Sequence, residues 1–218
     1  MPVMQTTAAT AQDPAQAQPA DAGLPPPVAL SPEAGAILLG LARTAVVATA
    51  TGRLRAVGSP SLLPDDPPAS LLAPAAAFVT LHQRQTLRGC VGSLATDQPL
   101  WVSVTSAAVS AASRDPRFLP VAPREVPWLT IDVSVLGPRR PLRDASAFRP
   151  GVDGLIVERG DRRGLLLPEV ATDQGWGARE MLEATCWKAG LPEDAWRDPE
   201  TACFVFRTAR VSEADARA

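Results

Sequence analysis

Apolar residues recur at helical spacing through Ile37, Leu38, Leu41, Ala45 and Val46, up to about Gly52. Ahead of them Ser31-Pro32-Glu33 reads as a helix start, with Ser as cap, Pro in the first turn and an acid near the positive dipole end. The pattern lapses over 53–74, which are rich in Pro and interrupted by Asp65-Asp66. A long connection, with room for one short turn of helix, is expected there. Residues 78–81 and 87–94 have strand character on either side of 82–86, which predicts a hairpin. Gly89 and Gly92 interrupt the second strand and point to a bulge or a close backbone approach. Asp97-Gln98-Pro99 opens a second helix, with Leu100, Trp101, Val104, Ala107, Ala108 and Ala111 on its buried stripe and Pro116 as its stop.

Further on, Leu129, Ile131, Val133 and Val135 alternate with Thr130, Asp132 and Ser134. That period of two predicts a strand over 128–136 covered on one face. Residues 155–158 and 165–167 flank Gly160-Asp161-Arg162-Arg163-Gly164, a second hairpin with a charged turn. A third helix is expected over 176–188, with Met181, Leu182, Thr185 and Cys186 inward and Gly190 as its left-handed cap. A last strand begins at 204–206, and 212–218 read as a polar tail. Six strands, mostly hairpin-linked, and three helices without regular βαβ alternation give an α+β fold with a mainly antiparallel sheet flanked by helices.

Composition narrows the function more by exclusion. The 218 residues suit one ordinary domain, and residues 1–27, poor in large apolar groups, read as a disordered tail ahead of a domain over 28–218. A net charge of −2 gives no global attraction to nucleic acid or acidic membranes. The Arg clusters Arg139-Arg140-Arg143 and Arg159-Arg162-Arg163 lack interleaved aromatics, so a solvated face is the better reading. Of the 21 basic residues 20 are Arg, which fits a coding bias before any demand for guanidinium. Cys90, Cys186 and Cys203 are too far apart for a zinc site or a disulfide framework, and His82 is the sole histidine. No metal site, cofactor loop or bilayer-spanning run is expected, and with no secretory leader in view a reducing cytoplasm is the default compartment.

Candidate chemistry gathers in Leu87-Arg88-Gly89-Cys90-Val91-Gly92 and Asp115-Pro116-Arg117-Phe118. If Arg88 and Cys90 share a strand face, the guanidinium lowers the thiol pKa and Cys90 becomes a nucleophile. A small buried thiol, or one that only contacts a ligand, are the competing readings. His82 either serves Cys90 as a base across the hairpin or sits exposed at its tip. Arg117 either binds an anion beside Cys90, oriented by Asp115, or pairs structurally with Glu169 or Asp132 while Asp115 caps a turn. Glu169 is a possible acid or base, and Trp176 suits the core better than a stacking platform.

These motifs, with Ile131-Asp132-Val133-Ser134-Val135-Leu136, Gly151-Val152-Asp153-Gly154-Leu155-Ile156, Leu166-Leu167-Pro168-Glu169-Val170-Ala171, Gln174-Gly175-Trp176 and Lys188-Ala189-Gly190-Leu191, resemble the AMMECR domain family. Its bacterial and archaeal members are called AmmeMemoRadiSam system protein A. The resemblance covers about residues 28–218 and implies an antiparallel sheet flanked by helices with a smaller subdomain attached. It also implies a Memo-type protein and a radical SAM protein as partners. The function expected is an accessory or catalytic component with a cleft carrying Arg88, Cys90 and Glu169 as catalytic candidates. Gly89, Gly92, Asp115 and Arg117 are the ligand-binding candidates, for an unknown small molecule or peptide. A non-catalytic ligand- or peptide-binding module is the alternative.

Overall fold

A computed structural model describes residues 29–215, so the tail expected over 1–27 lies outside the described residues. The first helical run forms α1 (Pro32–Ala50), with Ser31 Oγ accepting the Ala34 N–H at 3.1 Å as the cap predicts. By length and composition alone α1 is long and apolar enough to cross a bilayer, contrary to the expectation from sequence. Its stripe of Leu38, Leu41, Ala45 and Val46 is buried in the domain core. The connection after it holds two 3-10 turns, Leu54–Ala56 and Pro60–Leu62, and one short helix, α2 (Ala69–Leu72).

The first hairpin is β1 (Ala77–Gln83) and β2 (Thr86–Ser93), turned by Arg84 and Gln85 with φ of 51° and 67°. Both turn residues are left-handed, the twist a two-residue hairpin loop needs. Helix α3 (Leu100–Ser113) buries all six residues of its predicted stripe. Then come β3 (Leu129–Leu136), the two-residue β4 (Arg140–Pro141), β5 (Gly154–Arg159) and β6 (Arg162–Leu166). The helix expected over 176–188 is α5 (Ala178–Lys188), preceded by a separate α4 (Pro168–Gln174). The last strand is in fact two, β7 (Ala202–Phe206) and β8 (Thr208–Ser212), so Ser212 closes a strand and does not open a tail.

The strands make two four-stranded antiparallel sheets, in the orders β2-β1-β3-β8 and β4-β7-β5-β6. On the first sheet Val79 and Leu81 of β1 and Ile131, Val133 and Val135 of β3 join α1 and α3 in one core. Period-two alternation sends Phe78, Thr80 and His82, and Asp132, Ser134 and Leu136, to the opposite face. That face was expected to meet solvent along β3, yet Asp132 and Ser134 are 6% and 1% exposed. The cause is the second sheet. Phe78 and Leu136 join its Ile156, Leu165 and Phe206 in a second apolar cluster. One end of the face is thereby sealed by apolar contact, and a polar row is left beyond it.

Candidate functional site

Strand register defines the row. Cys90 of β2 lies opposite Thr80, Thr80 opposite Asp132, and Asp132 opposite Ser212, one residue from each of the four strands. The Thr80 hydroxyl donates to Cys90 Sγ at 3.3 Å. Burial raises the thiol pKa above its ordinary value, and the Thr80 donor together with the cations Lys188 and Arg117 opposes it only in part. Cys90 is therefore a protonated thiol at rest, half-buried, and not a preformed thiolate.

Arg88 does not supply the expected activation. The ladder slips between Leu81 and His82, pairing Leu81 with Gly89 but His82 with Leu87, which leaves Arg88 as the extra residue of a bulge. Its guanidinium turns to Glu125, donating from Nε at 2.9 Å and Nη2 at 3.1 Å. Glu125 also accepts the Ala122 N–H at 2.8 Å, so Arg88 clamps the loop that leads into β3.

Arg117 occupies the place Arg88 was assigned. Asp115 accepts the Cys90 N–H at 2.8 Å, and Arg117 Nη2 donates to the Cys90 carbonyl at 3.3 Å. The two side chains are themselves joined, Nε to Oδ1 at 2.9 Å and Nη2 to Oδ2 at 2.7 Å. Together they satisfy an edge strand's outward backbone groups as a neighbouring strand would. The pairing of Arg117 with Glu169 or Asp132 is thus replaced by one with Asp115. Arg88 and Arg117 also both lie over the Phe118 ring, at 5.8 and 5.5 Å from its centroid.

The two glycines of the motif answer to packing within the chain. A Cβ at Gly89 would stand 2.4 Å from the Ala111 carbonyl oxygen of α3, and one at Gly92 2.3 Å from the Phe78 ring. The close backbone approach expected at these positions is to the protein's own helix and ring.

His82 is neither exposed at the tip nor opposite Cys90. Its Nε2 lies 3.1 Å from Asp132 Oδ2, and its side chain is 30% exposed. Asp132 also accepts from Arg210 at 2.8 Å and from Ser212 Oγ at 2.5 Å. Burial opposes ionisation of Asp132, but these three donors outweigh it and bring its pKa down to about 2. Glu169 reaches the same face from the first turn of α4, 3.5 Å from Ser134 Oγ, and burial pushes its pKa up. Trp176 is half-buried against the cluster that includes Met181 and Leu182, as expected of a core aromatic.

One residue of this neighbourhood was missed. Lys188, in the last turn of α5, lies within electrostatic reach of Cys90, Asp115 and Arg117. Burial lowers its pKa, although its side chain keeps access to solvent and that access limits the effect. A signal was available: in a chain that uses Arg at 20 of 21 basic positions, the lone Lys escapes the coding bias. Cys186 and Cys203 lie away from the row, against the far side of the second sheet, and burial raises both thiols, Cys203 to about 11. Among the described residues no group of three His, Cys, Asp or Glu side chains could hold a metal.

A model of the AMMECR1 family matches residues 39–211. A protein of Methanothermobacter thermautotrophicus is 47% identical over 185 residues, covering 82% of this chain and 93% of its own. One from Thermococcus gammatolerans is 45% identical over 160 residues, covering 69% and 78%. Among solved structures, an uncharacterized protein from Pyrococcus horikoshii superposes with a TM-score of 0.76 at 38% identity, covering 82% of this chain and 91% of that one.

Proposed function

The chain belongs to the AMMECR1 family, and on that premise we propose that it works through the cleft over Cys90, as a catalytic or accessory component handling a small molecule or peptide. The observation that carries this reading is convergence. Thr80 donates to the Cys90 thiol, and Asp115 and Arg117 from the turn after α3 hold its backbone N–H and carbonyl. Arg117, Glu169 of α4 and Lys188 of α5 act on the thiol electrostatically. A thiol held protonated by burial reacts only once a base takes its proton. Glu169, a desolvated carboxyl group electrostatically coupled to Cys90, is the candidate for that exchange. Redox chemistry then belongs to partners, a Memo-type protein and a radical SAM protein, with this chain presenting or modifying the ligand. Three unpaired cysteines suit a reducing compartment such as the cytoplasm. Nucleic acid is a poor fit, because Arg139, Arg159 and Arg163 already pair with Glu158, Asp198 or Glu200.

Native-state alkylation tests the reading. Iodoacetamide should modify Cys90 in the folded protein while Cys186 and Cys203 react only on unfolding, as read by peptide mass spectrometry. Modification of Cys90 only on unfolding would remove the thiol from the chemistry. A second reading, a non-catalytic binding module, would then stand, and the raised Cys90 pKa already favours it.

A further inference from the structure

We propose that Lys188 and the Nη1 edge of Arg117 form an oxyanion-binding subsite beside Cys90, built for a ligand that carries a carboxylate or phosphate group. The inference rests on the cleft reading above and names the class of ligand that cleft takes.

Three observations carry it. First, Arg117 spends Nε and Nη2 on Asp115 and the Cys90 carbonyl, while Nη1 has no hydrogen-bond partner among the described residues. Its side chain is 52% exposed, so a fixed guanidinium offers one free edge to solvent. Second, Lys188 has no ion-pair or hydrogen-bond partner among the described residues, and the charged groups within its electrostatic reach are Cys90, Arg117 and Asp115. Asp115 is bonded to Arg117, so Lys188 is the cation of the two with no bonded counter-charge. Third, the fold holds Lys188 in place. Gly164 of β6 packs so closely on α5 that a Cβ would stand 2.2 Å from the Thr185 carbonyl, and Arg162 Nη1 donates to the Gly190 carbonyl at 2.7 Å. The apolar cluster of Leu165 and Leu167 with Phe78 and Leu94 then seats β6 against the β1–β2 end of the first sheet. Phe78 is two residues from Thr80, the partner of Cys90. The subsite is assembled only when both sheets are in place.

A pair of alkylating agents of similar size tests it, since iodoacetate carries the proposed anion and iodoacetamide does not. The ratio of Cys90 alkylation rates, iodoacetate over iodoacetamide, should exceed the ratio in unfolded protein on the order of tenfold, as expected where an unpaired cation faces the reacting atom. Lys188→Met should remove most of that excess and Lys188→Arg should keep it. Inorganic phosphate should slow iodoacetate selectively, and acetate as competitor tells carboxylate preference from phosphate preference. Equal ratios in folded and unfolded protein, or an excess untouched by Lys188→Met, would overturn the subsite while leaving Cys90 as the working thiol. If neither reagent reaches Cys90, the cleft reading fails. The subsite is then decided by the rise of the thermal midpoint with inorganic phosphate, expected in wild type and absent in Lys188→Met.

Discussion

Asp132 shows how much a single residue's role depends on partners far away in the chain. It reads in sequence as the polar half of an alternating strand, yet it is buried and receives His82, Arg210 and Ser212. None of these lies within 40 residues of it, so no local pattern announces the network. The network has a pH signature. With a folded pKa of about 2 against an ordinary 3.8, ionised Asp132 contributes stability that is fully present above 3.8 and lost as pH falls through about 2. The contribution is on the order of 2 kcal/mol. Asp132→Asn should therefore lower the denaturation midpoint at neutral pH and flatten its decline over that acid window. A decline as steep as in wild type would show that Asp132 is not the titrating group. Arg88 is the opposite case: the i, i+2 rule placed it beside Cys90, and one bulged residue turned it away.

At the scale of elements, strong periodicity was legible and short elements were not. The stripes of α1 and α3 appear in the sequence because each helix, 19 and 14 residues long, packs along one core. Helix α4 is seven residues long, and β7 and β8 are parted by Arg207 alone, so neither breaks the local pattern enough to be seen. The β2–α3 contact was half legible. Gly89 signalled a close approach, and what approaches is the Ala111 carbonyl. Gly89→Ala should then cost about 1–3 kcal/mol, because backbone must move to admit the methyl group. Gly40, on the exposed side of α1 with nothing within 4 Å of its Cβ, is the contrast. Gly40→Ala should raise stability by about 0.5–1 kcal/mol. Chemical denaturation of both variants checks the pair, and a neutral Gly89→Ala would mean that β2 does not bear on α3.

For the whole molecule, the candidate site is a product of assembly. The first sheet provides Cys90 and Thr80, the turn after α3 provides the Asp115–Arg117 pair, and α4 and α5 bring Glu169 and Lys188 within electrostatic reach of the thiol. Four strands, β3 to β6, separate Cys90 from Lys188 in sequence, which is why the motif around Cys90 was visible and its electrostatic setting was not. Arg117 and Lys188, not Arg88, are the cations that bear on the Cys90 thiol, against the larger effect of its burial. The pH dependence of Cys90 alkylation by iodoacetamide tests this directly, in wild type, Arg88→Ala, Arg117→Gln and Lys188→Met. Losing a nearby cation favours the protonated thiol, so Arg117→Gln and Lys188→Met should move the apparent pKa of Cys90 upward. Arg88→Ala should leave it in place, since that guanidinium is held by Glu125. An upward move in Arg88→Ala, with no change in the other two, would make Arg88 the cation that acts on the thiol.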